Sequence, residues 1–157
     1  MNGNAARAFE STVERFGPPR HHAGRAILAG VDGSDTAMRA AAFAFGMARR
    51  ESGRLIVAFV CRPSLGPAVA ATVEHDTAVQ LYAELREQIR AAAEELEVPV
   101  SFLKTFGDPY TALRDTADRG QVDTVVVGAS QKAGHRFAGS VATKLIRPGH
   151  WPVLVVP

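Results

Sequence analysis

The chain has 157 residues, of which 46% are hydrophobic, and its formal net charge is +2 at pH 7. This length can bury one good core, which favours a single domain, and so small a net charge argues against a nucleic-acid-binding stripe. The sequence has no bilayer-length apolar run and no signal-peptide core, and its single cysteine, Cys61, excludes an internal disulfide and a cysteine metal cluster. We therefore expect a cytoplasmic protein that binds neither nucleic acid nor membranes.

Residues 1–24 differ in composition from the rest of the chain and are predicted to be an extension of a domain formed by residues 25–157. Four apolar residues of the extension fall at helical spacing, namely Ala6, Phe9, Val13 and Phe16. This spacing predicts a short helix. Because a helix so short needs a surface to pack on, a docked helix and a loose tail stay open as alternatives. His21 and His22 are interpreted as a solvated pair in preference to metal ligands.

After the extension, short apolar runs alternate with amphipathic segments, which predicts alternating strands and helices. The predicted strands cover residues 26–31, 55–61, 98–106, 122–127 and 152–156. The predicted helices cover residues 36–50, 76–96, 111–119 and 140–146. Ser34, Asp108 and Ser140 are the predicted N-caps of three helices. Gly53 and Gly120 are predicted to end two of them.

Alternating strands and helices form a parallel sheet with helices on both faces, through right-handed crossovers. We therefore predict a Rossmann-like α/β fold, a three-layer α/β/α sandwich around a doubly wound, five-stranded parallel sheet in the order 3-2-1-4-5. In such sheets the ligand lies beyond the carboxyl ends of the strands, where the strand order reverses. Four predicted strand ends meet there, at residues 32–34, 60–61, 106–107 and 128–130.

The C-terminal quarter carries the clearest signal for a ligand. The apolar run Val125–Val127 breaks into a glycine-containing loop that ends at Gly139 and Ser140, a pattern that presents backbone N–H groups to an anion. No Asp or Glu follows Asp123, whereas four cations do, namely Lys132, Arg136, Lys144 and Arg147. This asymmetry predicts an anionic ligand.

The order of three motifs resembles the universal stress protein family. The motifs are Gly30-Val31-Asp32-Gly33-Ser34, Gly107-Asp108-Pro109, and Val127-Gly128-Ala129-Ser130 leading to Gly139-Ser140. The resemblance covers residues 25–157, and the closing segment is similar to small members from actinobacteria. It implies a five-stranded parallel sheet and, for a subset of the family, binding of ATP or another adenine nucleotide.

The resemblance also implies individual site residues. Asp32 matches the acidic residue near the adenosine, and Val60 matches the strand-end valine whose backbone meets adenine. Gly128, Gly139 and Ser140 match parts of the phosphate loop, where backbone N–H groups receive the charge. The remaining members of the predicted nucleotide site are Val31, Gly33, Ser34, Ser130, Lys132, Arg136 and Val141.

The phosphate loop departs from the nucleotide-binding pattern of the family. Gln131 stands where the pattern has its second glycine, and the loop is two residues shorter than the pattern requires. Losing a glycine can remove a backbone conformation that other residues adopt only at a cost. Lys132, His135 and Arg136 could compensate with charge-assisted donors. A merely solvated basic loop is the alternative.

Three other candidates have structural interpretations. Asp32 could interact with the start of the first helix instead of a ribose. Cys61 is predicted to be a packed strand-end thiol. Trp151 is predicted to pack against the sheet edge or a partner.

We interpret the chain as a non-catalytic stress-response protein that forms homodimers and senses or stores an adenine nucleotide such as ATP, AMP or cyclic AMP, with no metal site. The dimer is expected to form through Val153–Val156, a flat, apolar and uncharged edge strand. An ATP-using enzyme is disfavoured, because the chain has neither the Ser-Gly-Gly pyrophosphate loop nor a Gly-Lys-Ser/Thr P-loop. The altered loop favours a third class, a protein-binding dimer without a ligand.

Overall fold

The computed structural model describes residues 11–19, 24–62, 68–130 and 139–157, with the backbone alone described for 68–75. The strands are β1 (Thr12–Phe16), β2 (Ala26–Val31), β3 (Arg54–Cys61), β4 (Val100–Phe106), β5 (Thr124–Gly128) and β6 (Val153–Val156). The helices are α1 (Asp35–Arg50), α2 (Ala68–Glu95), α3 (Pro109–Gly120) and α4 (Ser140–Ile146). In the part of the chain that these ranges cover, no helix is long and apolar enough to cross a membrane.

The six strands form one mixed sheet in the order β1-β4-β3-β2-β5-β6. From β4 to β6 all neighbours are parallel, and β1 pairs antiparallel with β4. The predicted α/β fold and the predicted order of its five parallel strands are therefore confirmed. The prediction of a purely parallel five-stranded sheet is wrong, because β1 extends the sheet at its β4 edge.

Two apolar cores cover the two faces of the sheet. Side chains of α1 and α2 pack on one face around Ile27, Val57 and Phe102, all fully buried. Side chains of α3 and α4 pack on the other face, where Leu28 and Val125 are fully buried. The central strands consist of apolar residues because helices cover both of their sides. This arrangement is the predicted three-layer sandwich.

The helix ends show which capping predictions hold. Ser34 Oγ accepts a hydrogen bond from the Ala37 N–H at 3.3 Å, and Asp108 Oδ2 accepts one from the Thr111 N–H at 3.0 Å, which confirms both N-caps. The prediction of Ser140 as an N-cap is wrong, because Ser140 is the first residue of α4. Gly139 holds the N-cap position without a side-chain hydrogen bond.

The two predicted glycine stops also differ from the structure. The left-handed residues after α1 and α3 are Ser52, with φ of 49°, and Gln121, with φ of 46°. Gly53 is instead required by close packing, since a Cβ there would lie 2.3 Å from the Arg25 carbonyl oxygen. Helix α2 begins at Ala68 and not near residue 76, because the alanine-rich segment before residue 76 favours a helix.

The predicted N-terminal helix is wrong for the residues that the structure describes. Val13 and Phe16 lie in strand β1, while Ala6, Phe9, His21 and His22 fall outside the described residues. The spacing of three that indicated a helix places these two side chains on opposite faces of a strand. Phe16 packs near Phe102, with ring centroids 6.4 Å apart, whereas Val13 is 52% exposed.

Glu14 links strand β1 to helix α2 through an ion pair and hydrogen bonds. Its carboxylate accepts hydrogen bonds from Arg86 Nε at 2.8 and 2.9 Å and from the Tyr82 hydroxyl at 2.8 Å. Both side chains of the ion pair are about one-third exposed, 31% for Glu14 and 35% for Arg86. The Arg86 guanidinium is the main reason that the pKa of Glu14 lies below its usual value. The bond between β1 and α2 is therefore charge-assisted at neutral pH.

Replacing Glu14 by Gln should lower the melting temperature of the protein at pH 7 by a few degrees, because the charged acceptor is lost. A carboxyl whose folded-state pKa is depressed stabilises the fold above its unfolded pKa and loses that effect as the pH falls through the folded value. The difference between the wild type and Glu14→Gln should therefore begin to shrink below the unfolded pKa of a Glu side chain, about 4.3, and disappear once the pH has fallen below the lower folded-state pKa of Glu14. Thermal unfolding followed by circular dichroism between neutral and acid pH measures it, and a difference that persists in acid would contradict the assignment.

Gly128 lets the first turn of α1 lie directly on β5. A Cβ at this position would be 2.5 Å from the Ala37 nitrogen and 2.8 Å from the Thr36 carbonyl oxygen. The Thr36 hydroxyl donates to the Ala129 carbonyl at 2.8 Å, and the Ala129 N–H donates to the Val156 carbonyl at 2.7 Å. One close contact thus joins α1, β5 and β6.

Replacing Gly128 by Ala should destabilise the protein by about 1–3 kcal/mol, because backbone atoms must move to admit the methyl group. Gly46→Ala in the middle of α1 is the matched control. The nearest atom to a Cβ there is the end of the flexible Arg50 side chain, at 3.1 Å. The control should be neutral or stabilise by up to about 1 kcal/mol. Urea unfolding compares the two variants, and equal stabilities would refute the close contact.

Candidate functional site

The carboxyl ends of the parallel strands form the edge at which the predicted site residues lie. Strand β2 occupies the point where the order reverses, because the chain proceeds from it to β3 on one side and returns to β5 on the other. Its end carries the predicted residues Val31, Asp32, Gly33 and Ser34. The end of β3 carries Val60, which is half-buried and follows Phe59, the partner of Val31 across the β2–β3 pair.

Asp32 organises the turn between β2 and α1. Its Oδ1 accepts hydrogen bonds from the Ser34 N–H at 3.0 Å and from the Ser34 hydroxyl at 2.6 Å. Ser34 in turn caps α1, so Asp32 has the helix-start role that the sequence left as an alternative. The carboxylate is exposed, and both of these bonds use Oδ1. Oδ2 is therefore available to accept hydrogen bonds from a ligand.

Val31 and Gly33 flank Asp32 in different surroundings. The Val31 side chain is 4% exposed and belongs to the core between the sheet, α1 and α2. Val31 therefore offers backbone atoms and little side-chain surface to a ligand. Gly33 has a φ of +83°, and a Cβ there would lie 2.7 Å from Leu81 Cδ1 on α2. The Leu81 side chain therefore packs directly against the turn between β2 and α1.

The end of β5 and the start of α4 meet across the loop that joins them. A Cβ on Gly139 would lie 3.0 Å from the Ser130 Cβ. Ser130 and Ser140 are exposed, and Val141 is half-buried against the α3–α4 core. The loop residues Gln131, Lys132, His135 and Arg136 lie outside the described residues. Gly128, Ser130, Gly139, Ser140 and Val141 therefore form one contiguous group.

Helix α1 connects this group with the Asp32 turn. The first turn of α1 follows Ser34 directly, and its residues Thr36 and Ala37 rest on Gly128. The structure thus brings together the two halves of the predicted site, the β2–α1 turn and the β5–α4 group.

A cavity of about 380 Å³ opens beside the β5–α4 group. We call it the α3–α4 cavity, and its walls are Arg62, Gly107, Asp108, Pro109, Tyr110, Ser140, Val141 and Lys144. Its volume lies in the range of small-molecule sites. Ser140 and Val141 belong both to this cavity and to the predicted site, whereas Asp32, Val60 and Gly128 are not among its walls.

The α3–α4 cavity has two cations and one anion in its walls. The pKa of Asp108 is lowered first by the hydrogen bond from the Thr111 N–H and further by the positive charges of Lys144 and Arg62. Asp108 is therefore ionised at neutral pH and lies within the field of both cations. The Lys144 ammonium lies 6.0 Å from the centre of the Tyr110 ring.

Sequence reasoning missed Arg62 and Tyr110 as cavity residues, and it named Asp108 as a helix cap and a motif residue but not as part of a cavity. Two signals could have found the cavity. Lys144 lies four residues after Ser140, hence on the same side of α4 one turn later. Pro109 places Tyr110 in the first turn of α3, at the carboxyl end of β4. The cavity was not predicted because the sequence analysis followed the phosphate loop and not the neighbouring helix starts.

Cys61, at the end of β3, shows the features of a packed thiol. It is half-buried, and burial raises its pKa, with a smaller opposing effect from the charge of Lys104. A raised pKa keeps the thiol protonated and weakly nucleophilic. Trp151 packs against the core formed by α3 and α4. Within the residues that the structure describes, no group of three or more His, Cys, Asp or Glu is arranged to hold a metal ion.

Comparisons with known proteins agree with this architecture. A universal stress protein of Methanocaldococcus jannaschii is 27% identical over 136 residues, which are 83% of this chain and 80% of that protein. The crystal structure of a universal stress protein in complex with cAMP superposes with a TM-score of 0.63 at 25% identity, covering 86% of this chain and 98% of that one. The universal stress protein UspA from Lactobacillus plantarum superposes with a TM-score of 0.69 at 22% identity, covering 85% and 97% of the two chains.

The sequence model of the Universal stress protein family matches residues 24–157, which include the five parallel strands and all four helices. Strand β1 lies outside this match. The motifs that indicated the family fall at the ends of β2, β4 and β5, on the carboxyl edge of the sheet. On this match, the chain belongs to the universal stress protein family.

Proposed function

We propose that this stress protein binds an adenine nucleotide at the carboxyl edge of its sheet and carries out no reaction on it. The main support is the contact of α1 with Gly128, because it holds the helix that directly follows the exposed Asp32 turn against the end of β5. A structural neighbour at 25% identity is a complex with cAMP, an adenine nucleotide. The two halves of the site suit the two ends of such a ligand, a ribose at Asp32 and phosphate at the β5–α4 group.

The side chains at the edge favour binding over chemistry. The Ser34 hydroxyl donates to Asp32 and accepts from the Ala37 N–H, so it is occupied as a helix cap. The Cys61 thiol is protonated at neutral pH because burial raises its pKa. These are the properties of structural residues and not of activated nucleophiles.

A ligand-free, protein-binding dimer is the second candidate function. The observation that favours it is the position of Leu81, which covers Gly33 at the turn where the nucleoside would bind. Asp32 also has a structural role through Ser34 that does not require a ligand. Nucleotide titration distinguishes the two functions.

Isothermal titration calorimetry with ATP, AMP and cyclic AMP tests the proposal. Replacing Asp32 by Ala should weaken binding of each nucleotide about fivefold to 150-fold, because the ribose hydrogen bonds lost with the carboxylate are together worth about 1–3 kcal/mol. Asp35→Ala is the matched control, since it removes the same charge from the first turn of α1 at a neighbouring exposed position. It should change the affinity less than about threefold.

Two results would contradict this prediction. Absence of binding by the wild type at millimolar nucleotide would favour the ligand-free dimer. Equal losses in Asp32→Ala and Asp35→Ala would show that only the overall charge matters. Chromatography of the nucleotide after incubation should recover ATP intact, in accordance with binding without hydrolysis.

We also propose that the protein forms a homodimer through β6. This strand pairs with β5 on one side, and its four residues Val153–Val156 are half-buried and uncharged. An open apolar edge of this kind pairs readily with another strand. A two-fold axis would pair it with its own copy.

Replacing Val155 by Glu should convert the dimer to a monomer, because a charge on the edge strand opposes pairing with a second copy. Val13→Glu is the matched control, as it places the same charge on the opposite edge strand at a side chain that is 52% exposed. Light scattering at micromolar concentration should show a monomer for the first variant and a dimer for the control. Circular dichroism verifies that both fold. A wild-type monomer, or a Val155→Glu dimer, would refute the proposed interface.

A further inference from the structure

We infer that Arg62 and Lys144, on the walls of the α3–α4 cavity, select for the phosphate chain of the nucleotide, so that the protein binds ATP more tightly than AMP and adenosine least. This inference rests on the proposed nucleotide binding and assigns the specificity of that site. It concerns residues that the family motifs do not contain, since Arg62 follows β3 and Lys144 lies within α4.

The cavity lies where the phosphate chain of the ligand would extend. Ser140 and Val141 belong both to the β5–α4 group and to the cavity wall. A phosphate bound at that group would therefore enter the cavity if the chain continued beyond the first phosphate. The cavity has a volume of about 380 Å³, which leaves room for the phosphates beyond the first.

Two cations from different elements face this space. Lys144 lies one turn after Ser140 on α4, and its ammonium lies beside the Tyr110 ring at 6.0 Å from the ring centre. Arg62 directly follows β3 and lines the cavity. Its positive charge, like that of Lys144, lowers the pKa of Asp108. Helix α4 has only 7 residues, so its dipole is short, and side-chain charge must supply most of the attraction for a phosphate.

Asp108 adds a negative charge to the walls of the same cavity. Its Oδ2 accepts hydrogen bonds from the Thr111 N–H at 3.0 Å and the Thr111 hydroxyl at 3.1 Å, which hold the carboxylate at the start of α3. A bound phosphate would gain attraction from Arg62 and Lys144 and suffer repulsion from Asp108. Neutralising Lys144 and neutralising Asp108 should therefore change ATP affinity in opposite directions.

Calorimetric titration of four proteins with ATP, AMP and adenosine tests the inference. The variants are Lys144→Gln, Asp108→Asn and the control Arg147→Gln, and Asn preserves the cap of α3. Lys144→Gln should weaken ATP about twofold to fivefold and adenosine less than about 1.5-fold, as expected for an exposed charge. Asp108→Asn should strengthen ATP about twofold to fivefold with little change for adenosine. Arg147→Gln removes an exposed cation of the same region that does not line the cavity, and it should leave all affinities unchanged.

The outcomes separate the inference from the proposed function. If the wild type binds none of the three ligands, the proposed function itself fails. If the wild type binds them but Lys144→Gln weakens ATP and adenosine equally, or no more than Arg147→Gln does, the phosphate-selecting role of Lys144 is refuted. A loss of ATP affinity in Asp108→Asn would also refute it, because the carboxylate would then assist binding.

Discussion

The contact between Gly128 and the first turn of α1 is the constraint on which the carboxyl edge of the sheet depends. Because Gly128 has no side chain, the Ala37 nitrogen and the Thr36 carbonyl oxygen can lie 2.5 and 2.8 Å from the position that a Cβ would occupy, too close for any real side chain. The buried Thr36 hydroxyl then reaches the Ala129 carbonyl, and the Ala129 N–H reaches Val156. Through these bonds the position of α1 fixes the end of β5 and the last strand together. The β2–α1 turn, with Asp32, is held in place by the same helix.

The sequence predicted the parallel part of the fold well because burial on both faces leaves a plain signal. Strands such as β2 and β3 are continuous apolar runs, and a run of that length bounded by turn residues has few alternatives. The capping predictions at Ser34 and Asp108 held for a similar reason, since each depends on a side chain and a backbone N–H three residues later. The local chemistry was sufficient at these positions.

The failures occurred where tertiary contacts decide between two local possibilities. Val13 and Phe16 suit a helix by spacing, but β1 forms because Phe16 packs near Phe102 and Glu14 meets Arg86 on a distant helix. Neither partner can be identified from the segment itself. The α3–α4 cavity was missed likewise, since Arg62, Asp108 and Lys144 are far apart in sequence and adjoin only after three elements have packed. Asp32 is an intermediate case, because its hydrogen bonds to Ser34 match one of the two interpretations that the sequence left open and do not test the other.

The two edges of the sheet differ in a way that bears on the proposed dimer. Strand β1 covers the β4 edge and carries Glu14 and Arg15, and residues Gly17 and Pro18 follow it, so charge and a turn limit further pairing there. Strand β6 contains neither charge nor proline and has a strand partner only on its β5 side in the described chain. One edge is thus protected and the other is suited to pairing. The family match begins after β1, so the strand that protects the β4 edge comes from the N-terminal extension and not from the family domain. In the proposed dimer, this protection would leave the β6 edge as the place where two copies pair.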